Sequence, residues 1–291
     1  MGAADAVPGV SGGTVAFIAG IYQELIETLS KLGPGALKVL FNEGVASCWR
    51  YINGSFLAVL LTGMLMSIVL LSNVVLHLLA SYPQMLWGFF FGLICASSIV
   101  LAKSIKKWDI KTLAVFALGV ISSYFLTGMS SAVIEVNLLN IFLGGMLAIC
   151  AMILPGISGS FILLMLGLYS EVLGAIKNFD IMLISVFAMG CASGLLCFSK
   201  VLNWFFTQYR NLTMALLTGF LLGSLNKVWP WKETLTTRVN SHGETVADLQ
   251  QNISPYIYQH VTHLDAQLLS VSLLAVLGAS FVLMLERFNA N

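Results

Sequence analysis

The chain has 291 residues, of which 58% are hydrophobic and 9% charged, and its formal net charge is +1. A soluble domain carries roughly 25% charged residues, so this composition excludes an ordinary soluble protein. The small net charge without a clustered basic face also excludes a nucleic-acid partner. The composition therefore predicts an integral membrane protein whose surroundings are the phospholipid bilayer.

The first stretch with a distinct pattern is Val7 to Ile26, which begins with Val7-Pro8-Gly9-Val10-Ser11-Gly12 and occurs again 147 residues later, from Leu154. Seven of the twenty aligned positions are identical. This spacing predicts an internal duplication centred on the motif. An apolar run, Leu138 to Ile153, precedes the second copy, whereas only seven residues precede Pro8. The first half-helix is therefore expected to be cut short in this chain, with a genuine short start as the alternative.

The remaining elements follow in similar order in the two halves. The first half predicts a helix from Thr14 to Leu32 broken at Gly20, a looser segment from Gly33 to Gly54, and spans over Ser55–Ala80, Gln84–Ala102 and Thr112–Gly128. The second half predicts a helix to about Ile176 and spans over Asp180–Phe198, Leu212–Val228 and Gln267–Leu285. Most of these segments are close to the ~20 residues that cross a bilayer.

These elements predict an all-α membrane protein made of two repeats, residues 1–137 and 138–291. Each repeat is expected to contain a broken or re-entrant helix hairpin at the motif and three transmembrane helices. Residues 229–265 have no counterpart in the first half and form a polar extramembrane insert. Trp229 and Trp231 begin the insert, a position typical of interfacial anchors.

The distribution of cations bears on whether the repeats are inverted. If each motif forms a hairpin that enters and leaves on one side, ten lysine and arginine residues lie on one side of the membrane and four on the other: Lys177, Lys227, Lys232 and Arg238. The ten then mark the cytoplasmic side. A single broken helix at each motif gives eleven against three, so charge alone leaves both arrangements open. Inversion is preferred because it brings the two motifs together near the midplane.

The motif itself cannot continue a helix, because proline lacks an N–H and glycine costs about 1 kcal/mol relative to alanine. Pro8, Gly9, Pro155 and Gly156 are the predicted helix breaks. Such breaks survive at membrane depth only inside protein or beside a polar cavity. Ser11, Thr14, Ser158 and Ser160 are suitable N-caps for helices whose free N–H groups then favour an anion. Tight helix packing through small residues is the alternative, but two corresponding copies favour a transporter's binding site.

Few ionisable residues lie near the motifs. Asp5, Glu24 and Glu171 are candidates for proton coupling, since burial of a carboxylate raises its pKa toward neutrality. The two glutamates occupy equivalent positions, and an interfacial location near short helix ends is the alternative. Lys227 and Arg210 lie near span ends, where they either anchor the helix or recruit an anion. His260 and His263 lack a third ligand, so no metal and no cofactor is predicted.

The two motifs, together with Gly219-Phe-Leu-Leu-Gly223-Ser224-Leu225 before Trp229-Pro230-Trp231, resemble the bacterial polyprenyl-phosphate transporters of the PopT type. The resemblance covers nearly the whole chain apart from the insert and the missing half-helix. It implies a multi-pass protein of the bacterial inner membrane that returns undecaprenyl phosphate, a polyprenyl-phosphate lipid, for cell-wall precursor synthesis. On this interpretation a single phosphate is held by Ser11, Gly12, Gly13, Thr14, Ser158, Gly159 and Ser160.

Two other functions remain as alternatives. A membrane polyprenyl-diphosphate phosphatase also has a Pro-Gly-x-Ser loop, in which an arginine and a serine follow the loop's serine and a separate paired-glutamate motif supplies acid/base chemistry. Here Gly12-Gly13 and Gly159-Ser160 follow the serine, so no cation is available to clamp a transferring phosphoryl group. An enzyme is therefore not predicted. A small-anion channel or exchanger also uses glycine-rich helix starts, and nothing in the motif excludes it. The oligomeric state is left open.

Overall fold

The computed structural model describes residues 1–2, 11–128, 134–239 and 245–290, and it is mainly helical. The first half contains α1 (Gly12–Ile18), α2 (Tyr22–Lys31), α3 (Pro34–Glu43), α4 (Val45–Tyr51), α5 (Gly54–Ser81), α6 (Pro83–Lys103) and α7 (Ile110–Gly128). The second half contains α8 (Leu138–Ile153), α9 (Gly159–Met165), α10 (Tyr169–Asn178), α11 (Ile181–Gln208), α12 (Arg210–Ser224), β1 (Lys232–Val239), β2 (Thr245–Asn252), α13 (Pro255–Thr262) and α14 (Leu268–Ala290).

Five helices in the described ranges are long and apolar enough to cross a membrane, namely α5, α6, α7, α11 and α14. The chain is thus a multi-pass membrane protein. Their positions agree with the predicted spans, although α11 continues ten residues beyond the expected end at Phe198. The expected span from Leu212 differs more, since α12 has 15 residues and is about 22 Å long, shorter than the ~30 Å apolar core of a bilayer.

The helix after each motif copy is broken at a glycine. Gly20, the predicted break, has a φ of 73° and separates α1 from α2, and Gly167 has a φ of 70° at the equivalent point between α9 and α10. A side chain with a Cβ rarely adopts this left-handed backbone, which glycine adopts without strain. The resulting bend between α9 and α10 is 108°. The break predicted in the first copy is therefore matched by one in the second.

Two segments differ from the sequence prediction. The segment from Gly33 to Gly54, expected to be loose, forms α3 and α4. Pro34 occupies the first turn of α3, where its missing N–H costs nothing, and Gly44 with a φ of 85° ends the helix. The insert is not purely irregular either, because β1 and β2 pair as an antiparallel hairpin, so the protein is not wholly α-helical.

The insert is fixed to the membrane helices by its tryptophans. Trp231 is 6% exposed, and its indole Nε1 donates to the Ala266 carbonyl at 2.9 Å. Trp229 donates to the Ile253 carbonyl at 2.9 Å and packs against Phe91 of α6, with ring centroids 5.6 Å apart. The expectation that both tryptophans are interfacial anchors does not hold for Trp231, which is buried in a cluster with Tyr258, Ala266 and Val271.

Helices α6 and α14, one from each half, pack closely and run in parallel. A Cβ on Gly88 would lie 2.7 Å from a Val271 methyl group, and a Cβ on Gly92 would collide with the Ala275 carbonyl. Residue numbers therefore rise together along the two helices. The missing glycine side chains allow this backbone approach, as is usual where membrane helices cross tightly.

Helices α7 and α12 form a second pair of the same kind. The Phe116 carbonyl faces Gly219, and the Val120 carbonyl faces Gly223, so these helices are also parallel. The two most extensive helix contacts in the described ranges thus join the two halves, whereas α8 packs against α11 of its own half. The largest buried core also joins the two halves, since it contains residues of α1, α2 and α6 together with residues of α12.

Candidate functional site

The end of α8 is held by hydroxyl groups from the first motif copy. A helix end leaves its last carbonyl groups without partners inside the helix. The Ser11 hydroxyl lies 3.2 Å from the Met152 carbonyl oxygen and 3.3 Å from that of Leu154, and it donates toward both. The Tyr22 hydroxyl donates to the Ile153 carbonyl at 3.0 Å. Ser11 of the first motif copy and Tyr22 of α2 therefore satisfy the carbonyl groups exposed by the break in the second copy.

A second contact joins the two motif copies directly. The backbone N–H of Gly156 donates to the Thr14 hydroxyl oxygen at 2.9 Å, and Thr14 is fully buried. Gly13 lies so close to this break that a Cβ on it would be 2.7 Å from the Ile153 carbonyl oxygen. The sequence-predicted residues Ser11, Gly13 and Thr14 are thus brought against Pro155 and Gly156.

The hydroxyl groups of the second copy are used differently. Ser11 is the N-cap of α1 and accepts from the Gly13 N–H at 3.1 Å, whereas Ser158 at the N-cap of α9 has no such side-chain bond. The Ser158 and Ser160 hydroxyl oxygens instead lie 2.8 Å apart, and either can donate. The two loops therefore differ in this conformation, with the second retaining more hydrogen-bonding capacity.

Two of the four predicted helix-breaking residues, Pro155 and Gly156, lie within the described ranges. Gly156 has a φ of 86°, and a Cβ on it would lie 2.9 Å from the Ser224 hydroxyl oxygen, so the last turn of α12 packs against the second break. Pro155 is buried beside it. Pro8, Gly9 and the candidate carboxylate Asp5 lie outside the described residues.

The two candidate glutamates occupy equivalent places away from the motif contact. Glu24 is in the first turn of α2 and Glu171 in the first turn of α10. Both side chains are exposed, and Glu24 accepts from the Asn53 side-chain amide at 2.9 Å. The burial on which the proton-coupling hypothesis depends is absent from this conformation.

An apolar cavity reaches the second motif copy. It has a volume of about 550 Å³, lies between α7, α11 and α12, and is lined mainly by apolar side chains. Leu154, the residue before Pro155, forms part of its wall together with Val115, Phe198 and Phe220. A hydrocarbon chain in this cavity would end beside the broken helix.

Two lysines near the second copy lie in surroundings that the sequence did not predict. The Lys227 ammonium is 4.6 Å from the ring centroid of Phe161, which directly follows Ser160. The Lys232 ammonium is 4.9 Å from the ring centroid of Trp87 on α6. From the sequence alone, Lys227 was left open between anchoring a helix and recruiting an anion, and Lys232 was given no role at the site. A signal was present, since Lys227 is the first charged residue after Arg210 and Lys232 follows five residues later.

Side chains that commonly bind metal ions are scattered. Across the described ranges, no three His, Cys, Asp or Glu residues are placed to hold a metal ion. The five cysteines are free thiols. The polar chemistry at the motif contact is therefore that of hydroxyl, backbone N–H and ammonium groups.

Comparison with known proteins assigns the chain to a family. The model of the undecaprenyl phosphate translocase-like family matches residues 1–246. The chain belongs to this family. A polyprenyl-phosphate transporter of Vibrio cholerae is 45% identical over 288 residues, covering 99% of this chain and 94% of the relative. A polyprenyl-phosphate transporter of Staphylococcus aureus is 33% identical over 248 residues, covering 79% of this chain and 83% of the relative. No solved structure matches the chain.

Proposed function

We propose that this member of the translocase-like family carries undecaprenyl phosphate across the bacterial inner membrane, so that the lipid carrier is reused in cell-wall synthesis. One observation carries the proposal: the mainly apolar cavity has Leu154 in its wall, and Leu154 is where the two motif copies meet. A phosphorylated polyprenyl lipid needs both parts, an apolar space for the chain and polar donors for the head. The names of the two relatives support the same substrate class.

The phosphate is proposed to contact Ser158, Gly159 and Ser160. Their hydroxyl and N–H groups lie at the start of α9, and backbone N–H groups in such loops favour anions. Ser11, Gly12, Gly13 and Thr14 hold the second loop in place in the conformation described, through the Ser11 and Thr14 contacts. In the opposite conformation the two copies exchange these tasks, as expected of a transporter built from two repeats.

The repeats, residues 1–137 and 138–291, are proposed to be inverted. Under the duplication, α6 corresponds to α12 and α7 to α14, while α7 runs parallel to α12 and α6 parallel to α14. Since α6 and α7 are consecutive spans of opposite direction, each helix and its counterpart also run in opposite directions. This arrangement supports the hairpin interpretation, in which ten cations mark the cytoplasmic side and the insert lies outside.

Proton coupling is a separate part of the proposal. Glu24 and Glu171 are equivalent under the repeat and are exposed in this conformation. We expect each to be buried in turn as the repeats exchange conformations, since burial of the carboxylate favours its protonated form. Asp5 is the third candidate for the same role.

Binding selectivity tests the substrate. Purified protein is mixed with undecaprenyl phosphate, undecaprenyl diphosphate and inorganic phosphate, and bound species are read by native mass spectrometry. The proposal predicts selective binding of the monophosphate lipid with no release of inorganic phosphate. Hydrolysis of the diphosphate would instead indicate a phosphatase, and binding of bare ions alone would indicate a small-anion channel or exchanger.

A further inference from the structure

The two lysines beside the second motif copy form a cluster with unusual surroundings. Lys227 lies in the turns that follow α12, and Lys232 is the first residue of β1. The Lys232 ammonium donates to the Lys227 carbonyl oxygen. The Lys232 side chain is therefore held against the backbone of the turn that follows α12.

The walls of this cluster come from three separate elements. Phe161 belongs to α9, the helix that begins at the second motif, and its ring faces Lys227. Trp87 belongs to α6, and its ring faces Lys232. Ser224, three residues before Lys227, contacts the helix break at Gly156. The cluster is thus continuous with the proposed phosphate loop through both Phe161 and the end of α12.

No carboxylate in the described part of the chain pairs with either lysine, and the ion pair present there joins Lys31 to Glu27. Both lysines are half-buried. Membrane-protein lysines that serve as anchors extend their ammonium groups to water. Here each ammonium group lies over an aromatic face instead, and that of Lys232 also donates to the Lys227 backbone carbonyl oxygen.

The surroundings of the two lysines lower the pKa values of their ammonium groups. Burial lowers the pKa of Lys227, and burial together with the charge of Lys227 lowers the pKa of Lys232 to about 7. A bound anion would offset both effects, because it supplies the counter-charge that the protein lacks here. An aromatic face stabilises a cation only weakly at exposed sites, so it does not replace that counter-charge.

We propose that Lys227 and Lys232 form a binding site for a phosphate monoester, the group that the proposed function assigns to the transported lipid. A phosphate monoester carries about −1.5 to −2 charges near pH 7, matching two ammonium groups. A phosphodiester lipid offers a single negative charge, so the pair also distinguishes the substrate from bulk phospholipids. The site lies on the insert side and delivers the phosphate to Ser158 and Ser160.

The test measures binding of two probes, undecaprenyl phosphate and inorganic phosphate, to the full chain in detergent. The variants are Lys227→Gln, Lys232→Gln and the double variant. Lys177→Gln is the matched control, because Lys177 is an exposed lysine on α10, predicted to be on the same side. Thermal unfolding of each variant without ligand checks that the fold is retained.

The expected result is an affinity for undecaprenyl phosphate at least tenfold lower in the double variant, with Lys177→Gln equal to wild type. A loss confined to inorganic phosphate would still establish a phosphate site, with the free ion as its ligand. An affinity within twofold of wild type for both probes would overturn the inference. If wild-type protein still bound the lipid selectively in that case, the proposed function would stand without the lysine site. If wild-type protein did not bind the lipid selectively, the proposed function would be contradicted as well.

Discussion

The Gly156 N–H donates to the Thr14 hydroxyl oxygen at 2.9 Å, a hydrogen bond between residues 142 positions apart. It joins the two copies of one motif, the first at the start of α1 and the second at the break that follows α8. The same contact positions Ser158 and Ser160, which follow Gly156 in the second loop. The geometry of the proposed phosphate site therefore depends on the first repeat.

Removing the Thr14 hydroxyl is expected to weaken this contact. Thr14→Val keeps the shape of the side chain but leaves the buried Gly156 N–H without an acceptor, which costs about 1–3 kcal/mol. Thr14→Ser retains the acceptor and is the control. Thermal unfolding in detergent is expected to show a lower midpoint for valine than for serine, and equal midpoints would contradict the role of the hydrogen bond.

The close approach of the motif copies predicts that Gly13 tolerates no side chain. A Cβ at this position would lie 2.7 Å from the Ile153 carbonyl oxygen, so Gly13→Ala must push the two loops apart. Gly174→Ala is the matched control, because no atom lies within 4 Å of its added Cβ. We expect the first variant to lower both the unfolding midpoint and lipid transport. The control should lower neither, since alanine favours helix.

Filling the apolar cavity is expected to impair binding of the lipid chain without changing the phosphate loop. Val201 lines the cavity, and Val201→Trp would occupy part of its volume of about 550 Å³. Val276→Trp adds the same bulk at an exposed position of α14 that does not line it. Transport assays should show a several-fold loss for the first variant and little change for the second; equal rates would argue against this cavity as the site of the chain.

Protonation of Lys232 predicts how phosphate binding depends on pH. Its pKa of about 7 means that the ammonium form is lost as pH rises above 7. The second ionisation of a phosphate monoester has a pKa of about 6, so the ligand's charge changes little between pH 7 and 9. Affinity for undecaprenyl phosphate should therefore fall over this interval in wild type. The fall should be smaller in Lys232→Gln, and identical slopes would exclude Lys232 from the site.

Proton coupling is tested at the two equivalent glutamates. Glu24→Gln and Glu171→Gln remove the ionisable group while keeping the hydrogen-bonding capacity of the side chain. If the carboxylates carry protons, the dependence of transport on pH should be weaker in each variant. A wild-type pH profile in both would show that these exposed residues have a different role.

Much of this fold follows from local sequence signals. Spans near 20 apolar residues set the positions of α5, α6 and α7, and the pairing of Gly20 with Gly167 follows from the repeat itself. Helix α3 was predictable in principle, because Pro34 and Gly44 are ordinary helix boundaries. The hairpin of the insert has no partner in the first half, so the duplication gave no indication of it.

The candidate site was less accessible to sequence reasoning. The motif identified Ser11 and Thr14 as polar groups at helix starts, but their partners, the Leu154 carbonyl and the Gly156 N–H, lie more than 140 positions away. No local pattern specifies a contact at that separation. The surroundings of Lys232 likewise depend on the packing of the insert against Trp87, which only the folded chain determines.

The measurement that tests the central claim most directly is transport of undecaprenyl phosphate between the leaflets of proteoliposomes containing this protein. The rate for wild type is compared with the rate for Ser158→Ala/Ser160→Ala and for the control Gly174→Ala. We predict rapid transport by wild type and by the control, and a loss of tenfold or more in the double serine variant with an unchanged unfolding midpoint. Equal lipid flux in all three proteins would contradict the assignment of the phosphate to the second motif, and no flux in wild type would contradict the proposed function.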